Sequence, residues 1–215
     1  MTVRPKPNRE ATRRRILAAA GSLFVQKGFD GVGLREIAAK AKVSLHQPNH
    51  HFGGKLDLFA ECIRYAMEDK LDFPGIFADA PVFADAAEAK ERLAGKIRAV
   101  FTVIQPLSGR RVWHGEILAL AMHVHAGESV AAIGKGFAGA NAWLIAAIMA
   151  IDPGATQEYC LLWRASLWAQ ISFYSTARGN ILAALGTRHY DKAFLAAAAD
   201  HIAHVMLAEL ERREA

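Results

Sequence analysis

The sequence predicts an all-α protein, with an N-terminal three-helix helix-turn-helix head and a larger helical body, about nine helices in total. Three observations lead there. Alternating β-branched runs are missing, while Ala, Leu, Arg and Glu recur at helical spacing. Three short amphipathic segments crowd into about 45 residues near the N-terminus, as a helix-turn-helix unit requires. The composition is 53% hydrophobic over 215 residues, enough to bury a sizeable core and to exclude global disorder.

The elements follow from local chemistry. Arg9 to Lys27 places Ile16, Leu17, Ala20, Leu23 and Phe24 on one stripe, with Gly28 positioned to stop the helix. A second helix from Leu34 to Ala41 carries Leu34, Ile37 and Ala38. Gly33 stands at its N-cap and Glu36 at the capping-box position, without the side chain that would complete the box. The tight turn Lys40-Ala-Lys-Val43 leads into a third helix, for which Ser44 is the expected N-cap. On that start Pro48 is the fourth helical residue and removes one hydrogen bond to the Ser44 carbonyl; a later start would make it an orphan-donor position. After Gly53-Gly54 a longer helix is expected from Lys55 to near Leu71.

Beyond the breaker-rich stretch 72–81 the segments lengthen and become more aliphatic. Helices are expected near 85–105, 109–125, 128–150, 156–179 and 190–213, punctuated by Pro106, Gly127, Pro153-Gly154 and Gly186. The expected division is a head at 1–55 and a body at 56–215.

Charge separates the two parts. Residues 1–60 carry a net +7 and the remainder a net −2, so a polyanion partner is expected for the head alone. No apolar run approaches the roughly 18 residues of a membrane span, and the basic N-terminus has no signal-peptide segment. A cytoplasmic protein without a membrane partner is therefore expected. Cys62 and Cys160 lie too far apart for a zinc spacing and read as buried free thiols. His123, His125, His201 and His204 have ligand-like spacing, but no cysteine or carboxylate cluster accompanies them. Neither a nucleophile–base constellation nor a phosphate loop is present. No enzyme activity, catalytic residue, cofactor or metal is expected.

The head resembles a known family. Ile16-Leu17, Ala19-Ala20, Leu23-Phe24, Gly28, Ile37-Ala38, Val43-Ser44, His51-Phe52 and Lys55 occur in the order seen in the DNA-binding head of TetR-family regulators. The resemblance covers residues 9–60 and implies an all-helical homodimeric regulator with a variable helical ligand domain. Departures from the family pattern concentrate around the third helix. Gly33 replaces a capping Ser or Thr, and Lys42 stands where the turn commonly has Gly. His46 and Gln47 replace small residues, Pro48 an aliphatic one and Asn49 a phosphate-contacting tyrosine.

Candidate roles follow. Ser44, Leu45, His46, Gln47, Asn49 and His50 form the expected groove-facing surface, with Gln and Asn able to pair bidentately with adenine. Arg13, Arg14, Arg15, Lys42 and Lys55 are expected phosphate contacts. Resemblance places Trp113, His114, Glu116, Met122, His123, Phe137 and Trp143 on segments lining a small-molecule effector cavity. Resemblance likewise assigns the last two helices to the dimer interface. The candidates there are Tyr159, Trp163, Ser166, Gln170 and Phe173, then Phe194, Ala197, Ala198, His201, Ile202 and Val205, although an internal core has the same periodicity. The function expected is a ligand-responsive regulator of a double-stranded DNA operator, a repressor released by its effector. The alternative is a helical binding or scaffold protein whose helix-turn-helix no longer binds DNA.

Overall fold

The structure, a computed structural model, describes residues 9–105, 113–121 and 127–214, with backbone alone at 127–133, 135, 213 and 214. Three helices form the head: α1 (Arg9–Lys27), α2 (Leu34–Ala41) and α3 (His46–Phe52). The stripe read on α1 is buried as expected, with Ile16, Ala20 and Phe24 fully excluded from solvent. Gly28 ends α1 at φ 76°, donating its N–H to the Phe24 carbonyl at 2.8 Å. Glu36 has no capping partner in Gly33 and instead pairs with Lys27 at 2.6 Å.

The α2–α3 turn is a Schellman motif. Lys42 N–H donates to the Ala39 carbonyl at 3.1 Å and Val43 N–H to the Ala38 carbonyl at 3.0 Å. This pattern requires a left-handed residue, and Lys42 supplies it at φ 54°, ψ 50°. A side chain at such a φ costs on the order of 1 kcal/mol relative to glycine.

The start of α3 differs from the sequence expectation. Ser44 is not its N-cap: Leu45 holds that position, without a side-chain cap, and the first helical residue is His46. The Ser44 carbonyl accepts the Gln47 N–H at 3.0 Å. Pro48 thereby becomes the third helical residue, where an N–H has no intrahelical acceptor in any helix, so the proline forfeits nothing. Its ring is buried. Pro48→Ala is therefore expected to lower thermal stability, by about 1 kcal/mol from lost burial, rather than raise it by restoring a bond. A melting temperature above the parent's would contradict this placement.

Helix α4 (Lys55–Tyr65) continues into a π-helical turn at Ala66–Lys70, closed by Leu71 N–H to the Ala66 carbonyl at 2.9 Å. The stretch read as a linker contains α5 (Phe73–Ile76), capped by Asp72, which accepts the Gly75 N–H at 3.1 Å. The body comprises α6 (Ala86–Ile104), α7 (Trp113–Ala121), α8 (Gly127–Ile151), α9 (Gln157–Thr176), α10 (Arg178–Leu185) and α11 (Lys192–Glu214). The helix expected to reach residue 179 stops at Thr176. Ala177 bends the chain, and α10 is a separate helix, so the described residues hold eleven α-helices and no strand.

One core runs through both parts, from Ile16 to Leu210. Helix α4 packs on α1 and α3 and also on α7 and α8, so it belongs mechanically to head and body alike. Residues 192–212 of α11 are long and apolar enough by composition to cross a membrane. Here Leu195, Ala199, Ile202, Met206 and Leu210 bury one side of that helix, which packs against α6, α8 and α9.

Candidate nucleic-acid interface

A concave face of about 330 Å³ opens between the N-terminal turns of α1 and the start of α3. Its cations are Arg9 and Arg15 from α1 and Lys42 from the left-handed turn. Ser44, Gln47 and His50 supply neutral polar groups, and His51 closes the inner wall. The turn brings Lys42 onto the same face as Arg9 and Arg15, so three cations approach one space beside neutral polar groups. That combination suits a phosphate.

The predicted interface residues fall into two groups. Arg15, Lys42, Ser44, Gln47 and His50 share this face, while Leu45, His46 and Asn49 are exposed on α3 beyond it. Arg14 is exposed and lies 3.9 Å from Glu10. Arg13 points elsewhere: it pairs with the half-buried Glu61 of α4, and its guanidinium stacks 5.3 Å above the Phe52 ring. Lys55 sits with its ammonium 4.4 Å over the Phe29 ring. Arg13 and Lys55 thus have structural partners that spacing alone did not reveal. Arg9 lines the face and was not among the predicted contacts; its place in the first turn of a basic helix was the available signal.

His51 donates from Nε2 to Gln47 Oε1 at 3.0 Å. Burial holds its pKa below the ordinary histidine value, helped by His50, Arg9 and Arg13 and opposed by Glu10.

Residues 16–62 match the sequence model of the bacterial regulatory proteins, tetR family. The N-terminal unit belongs to the TetR family. No curated protein matches the chain. Solved structures match the whole fold. A TetR-like transcriptional regulator from Rhodococcus sp. RHA1 aligns at 17% identity, covering 97% of this chain and 99% of its own, with a TM-score of 0.63. The transcriptional regulator FadR from Bacillus subtilis, solved with stearoyl-CoA, aligns at 20% identity over 91% of this chain and 97% of its own, TM-score 0.62. AibR, solved with isovaleryl coenzyme A and operator DNA, aligns at 20% identity over 77% of this chain and 86% of its own, TM-score 0.57. The protein therefore has the TetR fold throughout.

In the TetR-type body the described members of the predicted effector set stand at several places. Met122 and His123 lie outside the described residues. Trp143 is buried beside the 72–85 segment, donating from Nε1 to the Asp79 carbonyl at 3.1 Å and packing edge-on against Phe83. Trp113 lies at the junction with the TetR-type head, stacked on Tyr65 at 6.2 Å and so close to Gly21 of α1 that a Cβ there would meet its ring at 2.3 Å. His114 packs beside it. Glu116 is buried on the same helix. Among the described residues, Phe137 lines an internal void with Ile104, Gly115, Leu118, Trp168 and Ser172. That void is about 10 Å³, barely room for one water.

Burial, and then the Lys70 charge, depress the His114 pKa to about 4. The unfolded ring binds a proton near pH 6.5, so between pH 6.5 and about 4 the unfolded state holds more protons and stability falls as pH falls. His51, lowered too, acts in the same direction. His114→Leu should therefore lose less urea resistance than the parent between pH 7.5 and 5. The difference is expected to be about 1 kcal/mol after allowance for partial solvation. Parallel pH profiles would assign the acid sensitivity elsewhere.

The predicted dimer residues also separate. Trp163 is inside the protomer, donating from Nε1 to the Met206 carbonyl at 3.0 Å, and Ala198 and Ile202 are buried with it. Gln170 reaches Met206 Sδ at 2.9 Å, and Tyr159 and Phe194 are half-buried against the core. Ser166, Phe173, Ala197, His201 and Val205 are exposed. The outer face of α9 adds Leu161 and Leu162, which are 58% and 59% exposed, as much as Phe173 at 58%. The α9 residues named from the sequence thus divide between its buried side and its exposed side, both of which are apolar.

Proposed function

We propose that the protein is a dimeric DNA-binding transcriptional regulator whose operator affinity is set by a small molecule, acting as a repressor. The observation that carries this reading is the basic concave face between α1 and α3, built on a TetR-type head. Arg9, Arg15 and Lys42 hold phosphates, while Gln47, His46, Asn49 and His50 face base edges. Pro48 at an orphan-donor position removes the main reason to regard the helix-turn-helix as degenerate.

One such head reads too few base pairs for genomic selectivity, so two-fold pairing is required. The exposed Leu161, Leu162 and Phe173 of α9, with Val205 of α11, supply an apolar patch suited to a second copy. Structural relatives solved with acyl-CoA compounds support an effector with an apolar portion, received near Phe137 and Trp168. The 10 Å³ void must widen to admit it. Trp113, seated on Gly21, is where such widening reaches α1. Trp113→Ala is accordingly expected to change operator affinity even without effector. An unchanged affinity would remove it from the coupling.

Fluorescence anisotropy against duplexes from the region flanking the protein's own gene tests the reading. Saturable binding at physiological salt, tighter than to random duplex by at least about a thousandfold, supports it. Equal affinity for both duplexes would favour the scaffold alternative.

A further inference from the structure

The most informative contact in the head is between two residues one turn apart on α3. Gln47 lines the basic face, and its Oε1 lies 3.0 Å from His51 Nε2. A carboxamide oxygen only accepts, so His51 Nε2 carries the proton, whether the ring is neutral or charged. Gln47 Nε2 has no partner among the described residues, and its two hydrogens are what the side chain has left to offer a ligand. His51 is itself held in place: its ring is tilted against Phe52 at 6.1 Å and meets His50 edge-on at 5.6 Å.

This arrangement bears on which base the helix reads. Adenine offers a donor at N6 and an acceptor at N7, and a glutamine reads it by turning both Oε1 and Nε2 to that edge. Guanine offers two acceptors, O6 and N7, and needs only donors. With Oε1 turned inward to His51, the amide presents donors alone. We propose that His51 is a specificity-setting positioning residue, which orients Gln47 so that it selects guanine over adenine at one base pair of each half-site. This rests on the DNA-binding reading above and extends it to a particular base.

The test is a selection from duplexes carrying 20 randomised base pairs, sequenced after several rounds, for the parent and four variants. The parent should enrich a two-fold symmetric site. Gln47→Ala should lose guanine preference at one position per half-site and leave the others intact. His51→Phe, which keeps a ring against Phe52 but has no donor, frees the amide. Adenine should then rise at that same position by roughly tenfold relative to guanine. His51→Gln restores a donor and should restore guanine. Gln26→Ala, exposed on α1 and outside the concave face, serves as a control that leaves that position unchanged. Circular dichroism of each variant confirms a folded head. No enrichment by the parent would overturn DNA reading altogether. Enrichment with adenine at the Gln47-dependent position, or an identical site for His51→Phe and the parent, would overturn the role of His51 while leaving DNA binding in place.

Discussion

Gly115→Ala is expected to destabilise the protein by about 3 kcal/mol, the upper end of the range for overpacking. A Cβ at this position would lie 2.0 Å from the carbonyl oxygen of Ile104 and 2.9 Å from its carbon, both backbone atoms at the end of α6. No rotamer change relieves a backbone clash, so α7 must move away from α6 as a unit. That movement disturbs the wall formed by Leu118, Phe137 and Trp168. Urea unfolding checks the result. Gly95→Ala, on the exposed side of α6 with nothing near its Cβ, should be neutral or slightly stabilising. Equal midpoints for Gly115→Ala and the parent would show that α7 does not lean on α6.

The pair Leu162→Glu and Phe173→Glu is expected to convert the proposed dimer to a folded monomer at about 10 μM protein, since like charges facing each other in an interface cost several kcal/mol. Both side chains are more than half exposed in the protomer, so the monomer's own core is untouched. Light scattering should read one chain mass, with helical circular dichroism preserved. Operator binding should weaken by at least about a hundredfold, because each half-site must then be bound alone. A variant that remains dimeric would move the interface away from α9.

Much of the fold was legible because its boundaries carry local chemistry. Gly28 ends α1, Gly53 and Gly54 separate α3 from α4, and Thr156 caps α9 by accepting the Tyr159 N–H at 3.1 Å. The break at Ala177 was not legible: the nearest glycine, Gly179, stands inside α10 rather than at the bend. The start of α3 was misread because Ser44 has the chemistry of an N-cap but is bypassed by one residue, which is also what accommodates Pro48. Basic residues of the head could be listed from sequence, but not sorted. Arg13 and Arg15 are two residues apart on one helix; the first turns to Glu61 in α4 and the second to the concave face. The body resisted further, since a buried tryptophan looks the same in sequence whether it lines a ligand cavity or, like Trp143, anchors a connecting segment.

If the face between α1 and α3 holds DNA, Lys42 must contribute to the affinity. Its left-handed backbone means that Lys42→Gly relieves strain while deleting one cation from each subunit. The variant should be more stable by about 1 kcal/mol, yet weaker in DNA binding by roughly tenfold or more. Its dependence of log affinity on log salt should be shallower by about two units per dimer. Gain of stability with loss of affinity cannot come from misfolding. The measurement is a salt titration of DNA binding by anisotropy, parent against Lys42→Gly. A shallower slope with weaker binding is the expected result, and an unchanged slope and affinity would contradict the assignment of this face to DNA.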